Sequence, residues 1–290
     1  MSTDIRLGVI GGSGVYEMSG VEIVQNHEIH TPFGQTSDRV VETTIGGRTV
    51  MFLPRHGRGH RLLPQEIPYR ANVFAMKQLG ATHLLAISAV GIMREEIKPG
   101  DMIVPDQLFD RTRGVRESTF FGDGVVGHVM FADPFCDELR NLVAASAESQ
   151  GAPVHSGGTY VCMEGPAFST RAESHFYRES VKPAVIGMTA IPEAKLAREA
   201  EMCYALLATG TDYDCWHESE EDVSVEAIVK VLHENAELAN RIVQDVAARL
   251  PQTSDCECLS AAEFAIITDR ASIPEEAKDR LRVLYGKYLD

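Results

Sequence analysis

The sequence predicts a single three-layer α/β domain over residues 1–290, with a largely parallel or mixed central sheet flanked by helices. Three observations predict it. Short apolar runs of strand length alternate with segments of helical period from one end of the chain to the other. No internal repeat, low-complexity run or Pro/Gly/Ser-rich linker divides the chain. Hydrophobic residues make up 44% and charged residues 24%, the balance of a globular protein that can bury a core without cross-links.

The elements follow in order. Residues 5–10 read as a buried strand ending at Gly11-Gly12, and 39–53 as a hairpin turning at Gly46-Gly47 with its core strand at 49–53. A basic, glycine-rich loop occupies 54–60. Tyr69, Val73, Met76 and Leu79 share one face of a helix over about 67–79, which Gly80 ends. Strands are expected at 83–88 and 101–105, a long surface loop at 111–127, and a helix at 134–149 ended by Gly151. Then come a strand at 158–163, a loop at 164–168, a helix at 169–180, a strand at 184–188, a helix at 191–200 and a strand at 202–209. A long helix fits 223–250, closed by Pro251. Ser260 with Glu263, and Ser272 with Glu275, each form a capping-box signature for a further helix.

Composition excludes several classes. A formal net charge of -15 argues against a nucleic-acid surface, which needs clustered cations to release counterions. It leaves room for a small anion held by local donors. No apolar run reaches the length of a membrane span, and the first residues carry no basic-then-apolar leader, so a cytoplasmic location is expected. Six cysteines fall mostly in apolar runs, as reduced core thiols do. Cys256-Glu257-Cys258 lies in a polar connector, but a lone close pair supplies two ligands at most. No CxxC or HxxxH partner stands nearby, so no metal site is expected.

Five constellations follow strands, where open α/β sheets place their sites. Gly11-Gly12-Ser13-Gly14 allows backbone N–H groups to approach an anion, with the Ser13 hydroxyl as a further donor. It fails as a dinucleotide turn, because the third glycine position holds Glu17, and as a Walker loop, because no Gly-Lys-Ser/Thr follows. Alone it is equally a plain tight turn. Arg55-His56-Gly57-Arg58-Gly59-His60 offers an arginine fork for bidentate phosphate recognition, with His56 as an added donor, or else a solvated basic loop. Ser88 and the N–H of Ala89 follow a buried strand and can donate at its end. In the segment 164–171, Phe168 offers a flat face for a nucleobase beside polar Ser169, although a phenylalanine is as readily core. Asp212 and Asp214 place two carboxylates on one side of an extended chain beside aromatics, an acid/base pair or a capping turn.

Taken together, the pieces resemble one family. GGSG at 11–14, TPFG at 31–34, RHGRGH at 55–60, REEIKPGD at 94–101, DQLFDRT at 106–112, EGPAFSTRAES at 164–174, MTAIPEAKLARE at 188–199 and TDYDCW at 211–216 are similar to the S-methyl-5'-thioadenosine phosphorylases. These form part of the trimeric branch of the purine nucleoside phosphorylases, and the resemblance spans roughly 5–250. It implies a phosphorylase-type fold and phosphorolysis of methylthioadenosine to adenine and 5-methylthioribose 1-phosphate, in purine and methionine salvage. No cofactor is implied, inorganic phosphate being a co-substrate. The alternative is a phosphorylase for inosine, guanosine or methylthioinosine. Carried over by motif, Ser13, Arg55, His56, Ser88, Ala89 and Thr189 bind phosphate. Met188 meets the ribose, Phe168 and Ser169 the base, Asp212 the purine N7 and Asp214 the 6-amino group. Two carboxylates favour an adenine donor over an oxopurine. His128 matches a histidine that reaches across a subunit boundary, which implies a homotrimer or dimer of trimers with shared sites. The cysteines are similar to those of a disulfide-bearing archaeal branch, which implies a Cys136–Cys203 bridge unless a reducing cytosol keeps the thiols free.

Overall fold

The computed structural model describes residues 3–12, 23–217 and 225–289. Its centre is an eleven-stranded mixed sheet. We label its strands β1 (Leu7–Gly11), β2 (Ile23–His27), β3 (Val40–Ile45), β4 (Arg48–Pro54), β5 (His83–Ile92), β6 (Met102–Val104), β7 (Gln107–Arg111), β8 (Val154–Ser156), β9 (Thr159–Met163), β10 (Val185–Gly187) and β11 (Cys203–Asp212). The helices are α1 (Tyr69–Gln78), α2 (Asp137–Ser149), α3 (Arg171–Phe176), α4 (Ala190–Glu199), α5 (Val225–Arg249) and α6 (Glu275–Leu289).

Period-two alternation in the strands sorts side chains between two helical layers. In β5, Leu84 and Ala86 face the core shared with α1, α4 and α6, whereas Leu85 and Ile87 face α2 and α5. In β11, Tyr204, Leu206 and Ala208 take the first side and Cys203, Ala205 and Leu207 the second. Both faces are buried, so these strands read as continuous apolar runs. The expected three layers are therefore present. Among the described residues no helix is long and apolar enough to cross a membrane.

β5 organises the site. β11 pairs with it in parallel from His83 to Gly91. β1 pairs in parallel along His83–Ile87, and β10 takes over antiparallel at Gly91 and Ile92. The carboxyl ends of β1, β4 and β11 thus gather around Ser88–Gly91, and β10 brings its own end to the same place. Gly187 permits this crossing, since a Cβ there would lie 2.0 Å from the hydroxyl of buried Tyr160.

Most expected elements are present, including the hairpin whose Gly46 and Gly47 turn at φ 58° and 80°, as a two-residue turn requires. The differences have local causes. β2 and β8 were not expected, because their residues are polar or exposed and carry no apolar alternation. β7 is likewise half-exposed, yet pairs in parallel with β9. The predicted 169–180 helix is α3 followed by a wide turn over Tyr177–Val181 that ends at Lys182 with φ 52°. The Ser260/Glu263 signature starts no α-helix. Ser260 Oγ donates back to Glu257 O at 3.3 Å, closing a single 3-10 turn over Glu257–Ser260, and Glu201 captures the N–H of Ala262 at 3.1 Å. No disulfide joins any of the six cysteines in the structure, so it does not contain the implied Cys136–Cys203 bridge.

Candidate active site

A cavity of about 330 Å³ opens where these strand ends meet. It is lined by Arg55, His56, Ser88, Ala89, Phe168, Met188, Thr189, Asp212 and Asp214 among others. Nine of the twelve residues singled out in the sequence are thereby brought together from five separate segments. Gly12 also lines it, while Ser13 and Gly14 of the same turn lie outside the described residues.

At one pole, Ser88 Oγ and Thr189 Oγ1 stand 3.5 Å apart. Thr189 is the residue before α4, and its hydroxyl makes no capping bond to the helix. Arg55 is 1% exposed and already heavily engaged. Its Nε and Nη2 donate to the two carboxylate oxygens of Glu193 at 2.8 and 3.1 Å. Nη1 donates to Ile87 O and Nη2 to Ile10 O, each at 3.0 Å. Burial opposes the Arg55 charge and Glu193 more than offsets it, leaving the pKa above the ordinary arginine value. The bidentate edge expected to grip phosphate is therefore taken by Glu193, and one Nη1 hydrogen remains for an anion.

His56 also departs from expectation. Its Nδ1 lies 2.8 Å from Leu62 O. A carbonyl only accepts, so Nδ1 carries the proton there. Burial holds the His56 pKa down at about 4, so at neutral pH Nε2 is a bare acceptor rather than a donor. His60 stacks on it with ring centroids 4.1 Å apart and lines the cavity with Leu63 and Pro64.

The other pole is the end of β11. Asp212 Oδ2 accepts from Thr211 Oγ1 at 2.7 Å, and Oδ1 accepts from the Asp214 backbone N–H at 2.9 Å. The two carboxylates thus sit in a tight turn, with Asp214 at φ 51°, rather than along an extended chain. Asp214 Oδ2 accepts from Ser174 Oγ at 2.6 Å. α3, started by a Thr170–Glu173 capping box, delivers that serine. Burial raises the Asp214 pKa, the Ser174 hydrogen bond opposes this, and the Asp212 charge adds to it. Trp216 fixes the turn by donating from Nε1 to Ile92 O at 2.7 Å.

Gly91 lies against Asp212 and is three residues beyond Ser88 on β5. The hydroxyl pole and the carboxylate pole are therefore about 10 Å apart at strand rise. Apolar Met163, Pro166, Phe168, Ile186 and Met188 also line the cavity. Met188 is held from behind by Arg116, whose Nη1 donates to Met188 O at 2.5 Å and Ile191 O at 2.7 Å. Arg116 in turn pairs with Glu164 at 2.6 Å.

Two expected residues fall elsewhere. Ser169 is not on the cavity wall; its Oγ turns to Met163 Sδ at 3.7 Å. His128 lines a separate surface cavity with Phe121, Val125, Lys195 and Glu199. Glu193, Arg116, Tyr160 and Ser174 escaped the sequence reading. Each acts on a residue distant in the chain, and nothing in local spacing marks such partners.

A family model described as the phosphorylase superfamily matches residues 6–248. The S-methyl-5'-thioadenosine phosphorylase of Geobacter sulfurreducens is 56% identical over 283 residues, covering 98% of this chain and 99% of its own length. The crystal structure of a methylthioadenosine phosphorylase from an antarctic soil metagenomic library superposes with a TM-score of 0.90 at 43% identity, over 97% of this chain and 99% of that one. The methylthioadenosine phosphorylase of Schistosoma mansoni in complex with adenine superposes with a TM-score of 0.84 at 34% identity, over 93% and 99% of the two chains. The chain belongs to the phosphorylase superfamily and, within it, to the S-methyl-5'-thioadenosine phosphorylases.

Proposed function

We propose that the cavity carries out phosphorolysis of S-methyl-5'-thioadenosine to adenine and 5-methylthioribose 1-phosphate. The observation that carries the reading is the two-pole cavity. Hydroxyl, arginine and backbone donors stand at one end, two carboxylates at the other, and an apolar wall between. Inorganic phosphate occupies the first pole, held by Ser88, Thr189, the Ala89 backbone, the free Arg55 N–H, His56 and Ser13. Ribose lies over Met188, and adenine packs on Phe168. A phosphate oxygen attacks C1' as the C1'–N9 bond breaks and its electron pair passes to the purine. Asp212 takes up a proton from water and passes it to N7, or holds N7 once it is protonated, and Asp214 accepts from the 6-amino group. Positive charge develops on the sugar, as in glycoside cleavage generally. The adjacent phosphate stabilises it, so positioning and electrostatics supply the catalysis. The proposed steps use inorganic phosphate as a co-substrate and call on no cofactor.

One observation favours 6-oxopurines instead: a raised Asp214 pKa brings closer a protonated carboxyl that could donate to a carbonyl. The Ser174 hydroxyl, donating to the same carboxylate, opposes that and favours the ionised acceptor. Methylthioadenosine, adenosine, inosine and methylthioinosine, each with and without phosphate, separate the readings. We expect phosphate-dependent turnover of the 6-amino compounds, and a preference for the inosine analogues would contradict it.

We also propose that residues 1–290 work as one domain in a homo-oligomer of at least three subunits, with His128 completing a neighbour's site near the 5' substituent. Val126, Met130, Phe264 and Ile267 support this. They are 50%, 82%, 89% and 66% exposed, and an isolated bridge joins Gly127 to Ile266 next to His128. Apolar groups so placed mark a surface that another chain covers.

A further inference from the structure

Four of the six cysteines, distant in sequence, meet in one place. Cys136 precedes the first turn of α2, Cys203 begins β11, and Cys256 and Cys258 flank Glu257 in the connector after α5. Their Sγ atoms all lie within 4.8 Å of one another. Three are buried and Cys256 is partly so. The group sits in the core between the sheet and α2, on the face away from α1 and α4, and phosphorolysis makes no use of it. Cys162 and Cys215 lie apart from it.

The spacing fits a coordinated ion better than a bridge. The Cys136 and Cys256 sulfurs are 3.7 Å apart, whereas a disulfide requires about 2.05 Å. Four sulfurs at about 2.3 Å from a tetrahedral zinc are about 3.8 Å from each other. Main-chain hydrogen bonds fix the backbone at three of the four ligands. Cys136 N donates to Tyr204 O at 2.8 Å and Cys203 N to Thr82 O at 2.9 Å. Cys256 N donates to Ser254 Oγ at 3.1 Å, and Leu259 N to Cys256 O at 3.0 Å. Four thiolates in a tetrahedron select zinc or a single iron over magnesium or calcium. A site with four protein ligands leaves no open position for catalysis, so its role is structural.

We propose that Cys136, Cys203, Cys256 and Cys258 bind one tetrahedral divalent cation, zinc, which clamps the C-terminal segment onto the sheet. Four thiols and one Zn²⁺ give a tetrathiolate complex and four protons released to solvent, with no electron transferred. The segment so fastened supplies the partners of buried Glu201: Ala262 N at 3.1 Å, Tyr288 Oη at 2.6 Å and Lys287 Nζ at 2.7 Å. It also meets the loop that carries His128, where His128 N donates to Ala265 O at 2.9 Å. The spacing in the chain displayed only the Cys256/Cys258 pair, because the other two ligands come from elements that only the fold brings near.

The test uses the whole enzyme, isolated anaerobically without added reductant, equilibrated with zinc or cobalt(II) and desalted. We expect about one metal per chain retained and, with cobalt, the intense visible and near-ultraviolet bands of a tetrahedral thiolate complex. Cys256→Ser/Cys258→Ser should lose both, and Cys162→Ser/Cys215→Ser should keep both. If the first variant does not fold, the wild-type cobalt spectrum and its loss on adding a mercurial decide the matter. Failure to retain metal would overturn the proposal. So would four of the six thiols found as disulfides, retention by Cys256→Ser/Cys258→Ser, or a spectrum without thiolate bands.

Discussion

At the scale of the residue, His56 shows how one hydrogen bond sets chemistry. With Nδ1–H committed to Leu62 O and a pKa near 4, the ring meets phosphate through a lone pair. The contact needs a proton, which phosphate brings on a P–O–H group, the monoanion having two and the dianion one. As pH rises, the monoanion gives way to the dianion, which has fewer P–O–H donors for Nε2, and any protonated His56 becomes scarcer. The phosphate KM should therefore rise between about pH 6 and 9, and the slope should flatten in His56→Ala. Parallel slopes in the two enzymes would show that His56 is not coupled to the phosphate proton. Glu193 teaches the same lesson for Arg55. Residue type and order identified Arg55, His56, Asp212 and Asp214 as site candidates, because each follows a strand with chemistry suited to an anion or a purine. The sequence did not reveal that Glu193 occupies the arginine fork, that Leu62 fixes the histidine tautomer, or that Ser174 holds Asp214. Those partners lie between 6 and 138 residues away along the chain.

At the scale of the element, β10 is the tightest joint. It carries Met188 and Thr189 into the cavity only because Gly187 lets Tyr160 pass beneath it. Gly187→Ala places a methyl 2.0 Å from a fully buried hydroxyl, and overpacking of this kind costs about 1–3 kcal/mol, here toward the upper end. Gly286→Ala is the contrast: in α6 its Cβ meets only Arg282 Cγ, at 3.5 Å, and should stabilise by up to about 1 kcal/mol through helix propensity. Thermal or urea unfolding of the two variants checks the pair, and equal effects would contradict this account of the joint. The buried strands and long amphipathic helices were legible because their apolar periodicity is strong. β2, β7 and β8 were not, since edge strands of polar residues are held by pairing with neighbours that sequence alone does not place. The Ser260/Glu263 signature misled because Glu201 and Glu257 bind the groups that a helix start would have used.

At the scale of the whole molecule, one subunit holds the phosphate and base poles but not His128, which faces a different cavity. On the proposed shared site, light scattering should report at least a trimer. Phe264→Asp/Ile267→Asp, changing two exposed apolar side chains, should disperse the oligomer and lower turnover of methylthioadenosine more than it changes phosphate binding. A dispersed enzyme with full activity would refute the shared site. In the proposed reaction phosphate is the nucleophile at the hydroxyl pole and adenine the leaving group at the carboxylate pole. Its most direct test is adenine release from S-methyl-5'-thioadenosine, followed with and without inorganic phosphate while the sugar product is identified. Release should require phosphate, with 5-methylthioribose 1-phosphate formed in equal amount. Adenine release without phosphate, yielding free 5-methylthioribose, would contradict it.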